Sequence, residues 1–200
     1  MQHPYITHLS KDKKFRKLID AEGELLLKKR KNIPVRLCAS IISQQLSTKV
    51  AAMILKRFLE LYGKKQPTPQ QIADTPQEAL RAIGLSNAKV TYVKNVALFA
   101  LENGMDSRKF SKMSNEEVIG YLVPIKGIGR WTVEMLLMFT LGREDVFALD
   151  DLGIQNSIAK LYKLDKTNKK QFREDMIRVS AVWAPYRSFA CLHLWRWKDN

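Results

Sequence analysis

An all-α fold of roughly eight to ten short helices is what this sequence predicts. Three observations carry that expectation. Apolar residues recur three and four positions apart over most of the chain, cap and breaker residues punctuate those stretches, and no segment alternates as a strand would. The stretch VRLCASIISQQLSTKVAAMILKRFLELYG keeps helical spacing and stops at Gly63. In KKQPTPQQ, Pro67 and Pro69 break any helix. Thr68 and Thr75 each precede a proline, the pattern of an N-cap followed by proline at the first helical position. TPQEALRAI ends at Gly84 and NAKVTYVKNVALFALENG at Gly104. Ser114 with Glu117 forms a capping box for SNEEVIGYLV. WTVEMLLMFTLG, DDLGIQNSIAKLY, TNKKQFREDMIRVSAVW and YRSFACLHLWRW complete the helical series.

The bulk numbers narrow the function. The 200 residues suit one domain or two small lobes, and the 46% hydrophobic content supports a real core. A formal net charge of +14 with a sequence pI of about 9.8 points to a polyanionic partner, nucleic acid before an anionic membrane surface. No apolar run reaches the ~20 residues of a membrane span, and MQHPYITHLSKDKKF lacks the apolar region of a secretory signal. The expectation is an intracellular protein, cytoplasmic and nucleoid-associated in a bacterium or nuclear in a eukaryote. Cys38 and Cys191 lie in apolar contexts and read as buried thiols. Two cysteines cannot ligate a four-cysteine iron–sulfur cluster.

The segment IKGIGRWT holds two glycines in a turn ahead of a helix. Gly127 and Gly129 can adopt angles closed to other residues, and they leave the turn without side-chain cover. The N–H groups and dipole of the helix starting near Arg130 make such a turn an anion site. On a basic chain the natural anion is a DNA phosphate. Gly127→Ala is then expected to weaken binding to all sequences alike, since phosphate contacts carry no base information. Asp150 and Asp151 follow the apolar run DVFAL and precede another helix; one of them can cap that helix while the other is solvated. His193 reads as buried packing.

LVPIKGIGRWTVEMLLMF resembles the helix-hairpin-helix of a DNA glycosylase superfamily, and the likeness extends over residues 35–197. IISQQLSTKVAA resembles that family's helix and loop entering the minor groove, DVFALDDLGI its catalytic loop, and WAPYRSFACLHLW the segment closing its pocket. The nearest branch is 3-methyladenine DNA glycosylase II. The resemblance implies two helical lobes with a DNA-binding cleft: a middle lobe over 35–140, and a second from 1–34 plus 141–200. It implies double-stranded DNA containing damaged bases as the partner and no required cofactor; a monomer without membrane association is the default expectation. Na+ or K+ would sit on the main-chain carbonyls of Val123, Ile125 and Ile128.

By the same matching, Asp151 is the catalytic carboxylate and Asp150 the structural or capping acid. N-glycosidic cleavage develops positive charge on the sugar, which a fixed anion stabilises; the same carboxylate can deprotonate the attacking water. Alkylated purines already carry charge on the leaving base, so no general acid is expected. Bifunctional members carry a nucleophilic lysine where this chain has Trp131, so the expected enzyme is monofunctional. The base pocket is expected from Trp131 and Tyr186, with Trp183 a looser member. Met135 and Leu152 stand where the best-known pattern has aromatics. DNA contacts are expected from Gln45 (the wedge, with Leu46 the alternative), Ser47, Lys126, Gly127, Gly129, Arg130 and Thr132. The alternatives are a glycosylase for another damaged base and a non-catalytic DNA-binding hairpin module.

Overall fold

The computed structural model describes residues 3–199. Among these, every regular element is an α-helix: α1 Pro4–Leu9, α2 Lys13–Glu22, α3 Ile33–Ser43, α4 Thr48–Glu60, α5 Pro69–Asp74, α6 Gln77–Ala82, α7 Asn87–Asn103, α8 Ser107–Ser111, α9 Asn115–Leu122, α10 Arg130–Phe139, α11 Leu152–Tyr162, α12 Lys169–Ala181 and α13 Arg187–Asp199. The 13 helices exceed the expected number because one-turn helices leave little periodic signal. The long apolar stretch from Val35 to Gly63 is also cut in two, at Gln44–Ser47. No described helix is long and apolar enough to cross a membrane.

Capping explains most helix starts. Thr68 with Gln71 and Ser114 with Glu117 form complete capping boxes, each satisfying an orphan helix N–H in both directions. Thr75 departs from expectation. It ends α5 instead of starting α6, donating its hydroxyl to the Gln71 carbonyl at 2.7 Å, and α6 begins after Pro76 with no side-chain cap.

The chain divides into two compact units. One is Arg30–Leu136; the other combines the described residues up to Lys29 with those from Leu137 onward. The sequence placed these boundaries at 35 and 140. α10 begins in the first of these units, and its last residues belong to the second. In the middle unit, α7 packs against α3 and α5 through Val90, Val93, Val96 and Ala97, all buried. Cys38 is buried there, and desolvation pushes its thiol up to about 12, so it is unreactive at neutral pH.

In the terminal unit, α13 packs against α11 and α2. His193 is 0% exposed, with Nδ1 2.7 Å from Glu22 Oε2 and Nε2 3.3 Å from the Tyr5 hydroxyl. Burial pulls its pKa down to about 4, so the ring is neutral and Nδ1–H donates to Glu22. Glu22→Ala would strand that buried donor. The expected loss is about 1–3 kcal/mol, read as a lowered Tm, with Glu22→Gln losing less because an amide oxygen can still accept. Equal melting of the alanine variant and the native protein would show that the bond contributes nothing.

Candidate active site

α9, a short turn and α10 make the hairpin. Ile125 N–H donates to the Leu122 carbonyl at 3.1 Å and Ile128 N–H to the Ile125 carbonyl at 2.9 Å. The two glycines have different jobs. Gly127 lies at φ +100°, where only glycine is unstrained, and a methyl there would overlap the Tyr92 ring and lie 2.7 Å from its Cβ. Gly129 is outside the left-handed region and has open space where a Cβ would stand. Gly127 needs its conformation and its close packing, whereas Gly129 supplies the uncovered surface. Gly129 also accepts the first helical bond of α10, from Val133 N–H at 3.2 Å. The first-turn N–H groups of α10 therefore begin at an uncovered edge, which suits a phosphate.

Two other expected DNA contacts have partners within the fold. Thr132 is 3% exposed and belongs to the packed face of α10. Arg130 is committed to carboxylates: its guanidinium bonds both oxygens of Glu116, at 3.0 and 2.5 Å, and Glu134 at 3.1 Å. The arginine beside it holds Glu116 below the usual carboxylate range. Arg130 thus braces α10 against α9. Lys126 is exposed in the turn.

The loop between α3 and α4 carries the wedge candidates. Gln45 and Leu46 are exposed, and Ser47 caps α4 by accepting from Val50 N–H at 3.4 Å. Gln44 donates from Nε2 to the Gly127 carbonyl at 3.2 Å, which ties this loop to the hairpin turn. Trp131 is 43% exposed and, with Ser40, Ser43, Gln44 and Gln45, lines a recess of about 290 Å³. Met135 lies one helical turn further along α10 and is half-buried.

The carboxylate belongs to the terminal unit. Asp151 caps α11: its Oδ1 accepts from Ile154 N–H at 2.8 Å and from the Trp195 indole N–H at 2.9 Å. The capping role expected of Asp150 is therefore corrected. Asp150 instead pairs with Arg173 at 2.5 Å on the surface. Gly153 makes room for the Asp151–Trp195 bond, since a methyl there would stand 3.0 Å from the carboxylate and 3.3 Å from the indole. α13 anchors the loop before Asp151. Arg187 grips Asp145 with bonds of 2.5 and 2.8 Å, and Ser188 Oγ accepts from Val146 N–H at 3.0 Å.

Trp183 is corrected as a pocket wall. It is 1% exposed, packed among Phe15, Phe147 and Tyr162. Tyr186 is half-buried, with the His8 ring at 5.4 Å and His3 at 6.1 Å. Leu152 is 67% exposed at the edge of a recess of about 470 Å³ that also includes Phe172 and Met176.

A model of the HhH-GPD superfamily of base excision DNA repair proteins matches residues 38–180, which take in the α3–α4 loop, the hairpin and Asp151. The chain belongs to that superfamily. Among HhH-GPD relatives, it is 40% identical over 162 residues to DNA-3-methyladenine glycosylase 1 of Schizosaccharomyces pombe, covering 80% of this chain and 70% of the relative. It is 28% identical to DNA-3-methyladenine glycosylase 2 of Escherichia coli, where it spans only 54% of the relative's length. The solved S. pombe 3-methyladenine DNA glycosylase Mag1 in complex with abasic DNA superimposes with a TM-score of 0.87 at 33% identity, covering 99% of this chain and 98% of that one.

Sequence reasoning missed Trp195, Gln44, Lys89 and Tyr92. Gly153 inside a helix start was the available signal for Trp195, because a helical glycine that costs stability often marks a close approach. Trp195→Phe keeps an aromatic side chain but removes the indole N–H that donates to Asp151. Base release should fall about tenfold with melting little changed, as expected for a slightly misplaced reacting group. Unchanged release would show that the capping bond alone orients the carboxylate.

Proposed function

We propose that this protein is a monofunctional DNA N-glycosylase that extrudes and excises alkylated purines of the 3-methyladenine type. The observation carrying this reading is Asp151, a carboxylate fixed by a helix N–H and an indole N–H in a chain with the hairpin of the base excision family. The names of its relatives, DNA-3-methyladenine glycosylases, support the same substrate class.

The hairpin turn would hold a backbone phosphate on the amides ahead of α10, and Gln45 would fill the gap left by the extruded base. Trp131 offers an electron-rich face to a cationic purine. Asp151 would stabilise the developing sugar cation and deprotonate water. Tryptophan offers no amine for a Schiff base, so an abasic site remains and the strand is left uncut.

On this reading the main-chain carbonyls of Val123, Ile125 and Ile128 would hold a monovalent cation. Val123 caps the C-terminus of α9, the negative end of that helix, and the Ile125 oxygen that accepts from Ile128 N–H keeps a second lone pair. A cation there would supply positive charge next to the bound phosphate.

Double-stranded DNA with damaged bases is the partner on this reading, and the protein acts as a monomer. Competition binding separates the enzyme from a plain hairpin module. The enzyme should bind a duplex containing an abasic-site analogue far more tightly than an undamaged one. Equal affinities would favour the module.

A further inference from the structure

The turn carrying Gln45 holds strain that its own residues do not explain. Gln44 has φ −53° and ψ 130°, Gln45 has φ +57°, and Leu46 N–H donates to the Ser43 carbonyl at 3.2 Å. This is a type II β-turn, whose third residue is normally glycine or asparagine because φ must be positive. A glutamine there is held by something outside the turn. Rotating the central peptide would give a type I turn, which suits any L-residue. The two forms differ in where the Gln44 carbonyl points.

That carbonyl is held by a side chain from another helix. Lys89, in the first turn of α7, donates from Nζ to the Gln44 carbonyl at 2.7 Å and to the Ile42 carbonyl at 2.8 Å. Both carbonyls belong to the end of α3, where oxygens lack helical partners and the dipole favours a cation. One helical turn along α7, Tyr92 packs against Gly127, and Gln44 spans from the same turn to the Gly127 carbonyl. A single face of α7 thus supports both the phosphate turn and the turn that carries the wedge.

We propose that Lys89 is a positioning residue for base extrusion: by holding the Gln44 carbonyl it keeps Ser43–Leu46 in the type II form and aims Gln45 at the vacated position in the duplex. The proposal rests on the glycosylase reading in taking this loop as the wedge.

A double-mutant cycle tests it, with 2-aminopurine in the duplex as a reporter that brightens on unstacking. Lys89→Met should slow extrusion about 10- to 100-fold, because a misaimed group loses its effect steeply with displacement. Lys89→Arg should restore most of the rate, since a guanidinium can donate to both carbonyls. In the Gln45→Ala background, where no wedge remains to aim, Lys89→Met should cost little more, a coupling that general destabilisation would not produce. If the methionine variant does not fold, Lys89→Gln carries the same cycle. Additive effects, or extrusion at the native rate without the ammonium, would overturn the assignment of Lys89. A native protein that leaves the reporter dim would overturn the glycosylase reading instead.

Discussion

Asp151→Asn keeps the fold and loses base release. Asparagine caps helices about as well as aspartate, and its oxygen can accept from both Ile154 N–H and Trp195 Nε1–H in the places the carboxylate uses. What it lacks is the charge. Removing preorganised electrostatic stabilisation costs about 100- to 1,000-fold, and loss of the base that activates water adds to that. Circular dichroism, melting and duplex affinity should match the native protein while single-turnover base release falls at least that far. Asp151→Ala is a poorer probe, because it also removes a cap worth about 0.5–2 kcal/mol. Undiminished release by the asparagine variant would mean that the reaction uses another group.

The second large effect is at Gly127. Alanine there combines left-handed strain with overlap against Tyr92, for a destabilisation of about 2–5 kcal/mol and a Tm fall of roughly 5–15 °C. Duplex affinity should fall with it, uniformly across sequences, because the damaged element grips phosphate. Gly129→Ala makes the control. Open space surrounds that position, so the fold should melt normally while the methyl intrudes on the approaching backbone. Weakened binding from Gly129→Ala with unchanged melting would separate the two roles. Equal melting of both alanine variants would contradict the packing argument.

The all-α class, the N-cap at Thr68, the capping box at Ser114, the hairpin and the family were legible in the sequence because each leaves a local pattern. Periodicity, a cap three residues from its partner and two glycines in one turn all sit within a few positions of each other. The supports of the site are not local. Trp195 reaches Asp151 across 44 positions, Lys89 reaches Gln44 across 45, and Gln44 reaches Gly127 across 83. Trp183 and Thr132 show the converse limit. A tryptophan near a recognised segment reads equally as core or pocket, and only its packing partners decide. Arg130 also pairs with Glu116, 14 residues earlier, a contact that no local pattern announces.

The measurement that tests the central claim most directly is base release from methylated duplex DNA by the native protein, with strands resolved before and after alkali. The account predicts free 3-methyladenine and strand breaks that appear only after alkali. A folded, DNA-bound protein that releases no alkylated base would contradict it.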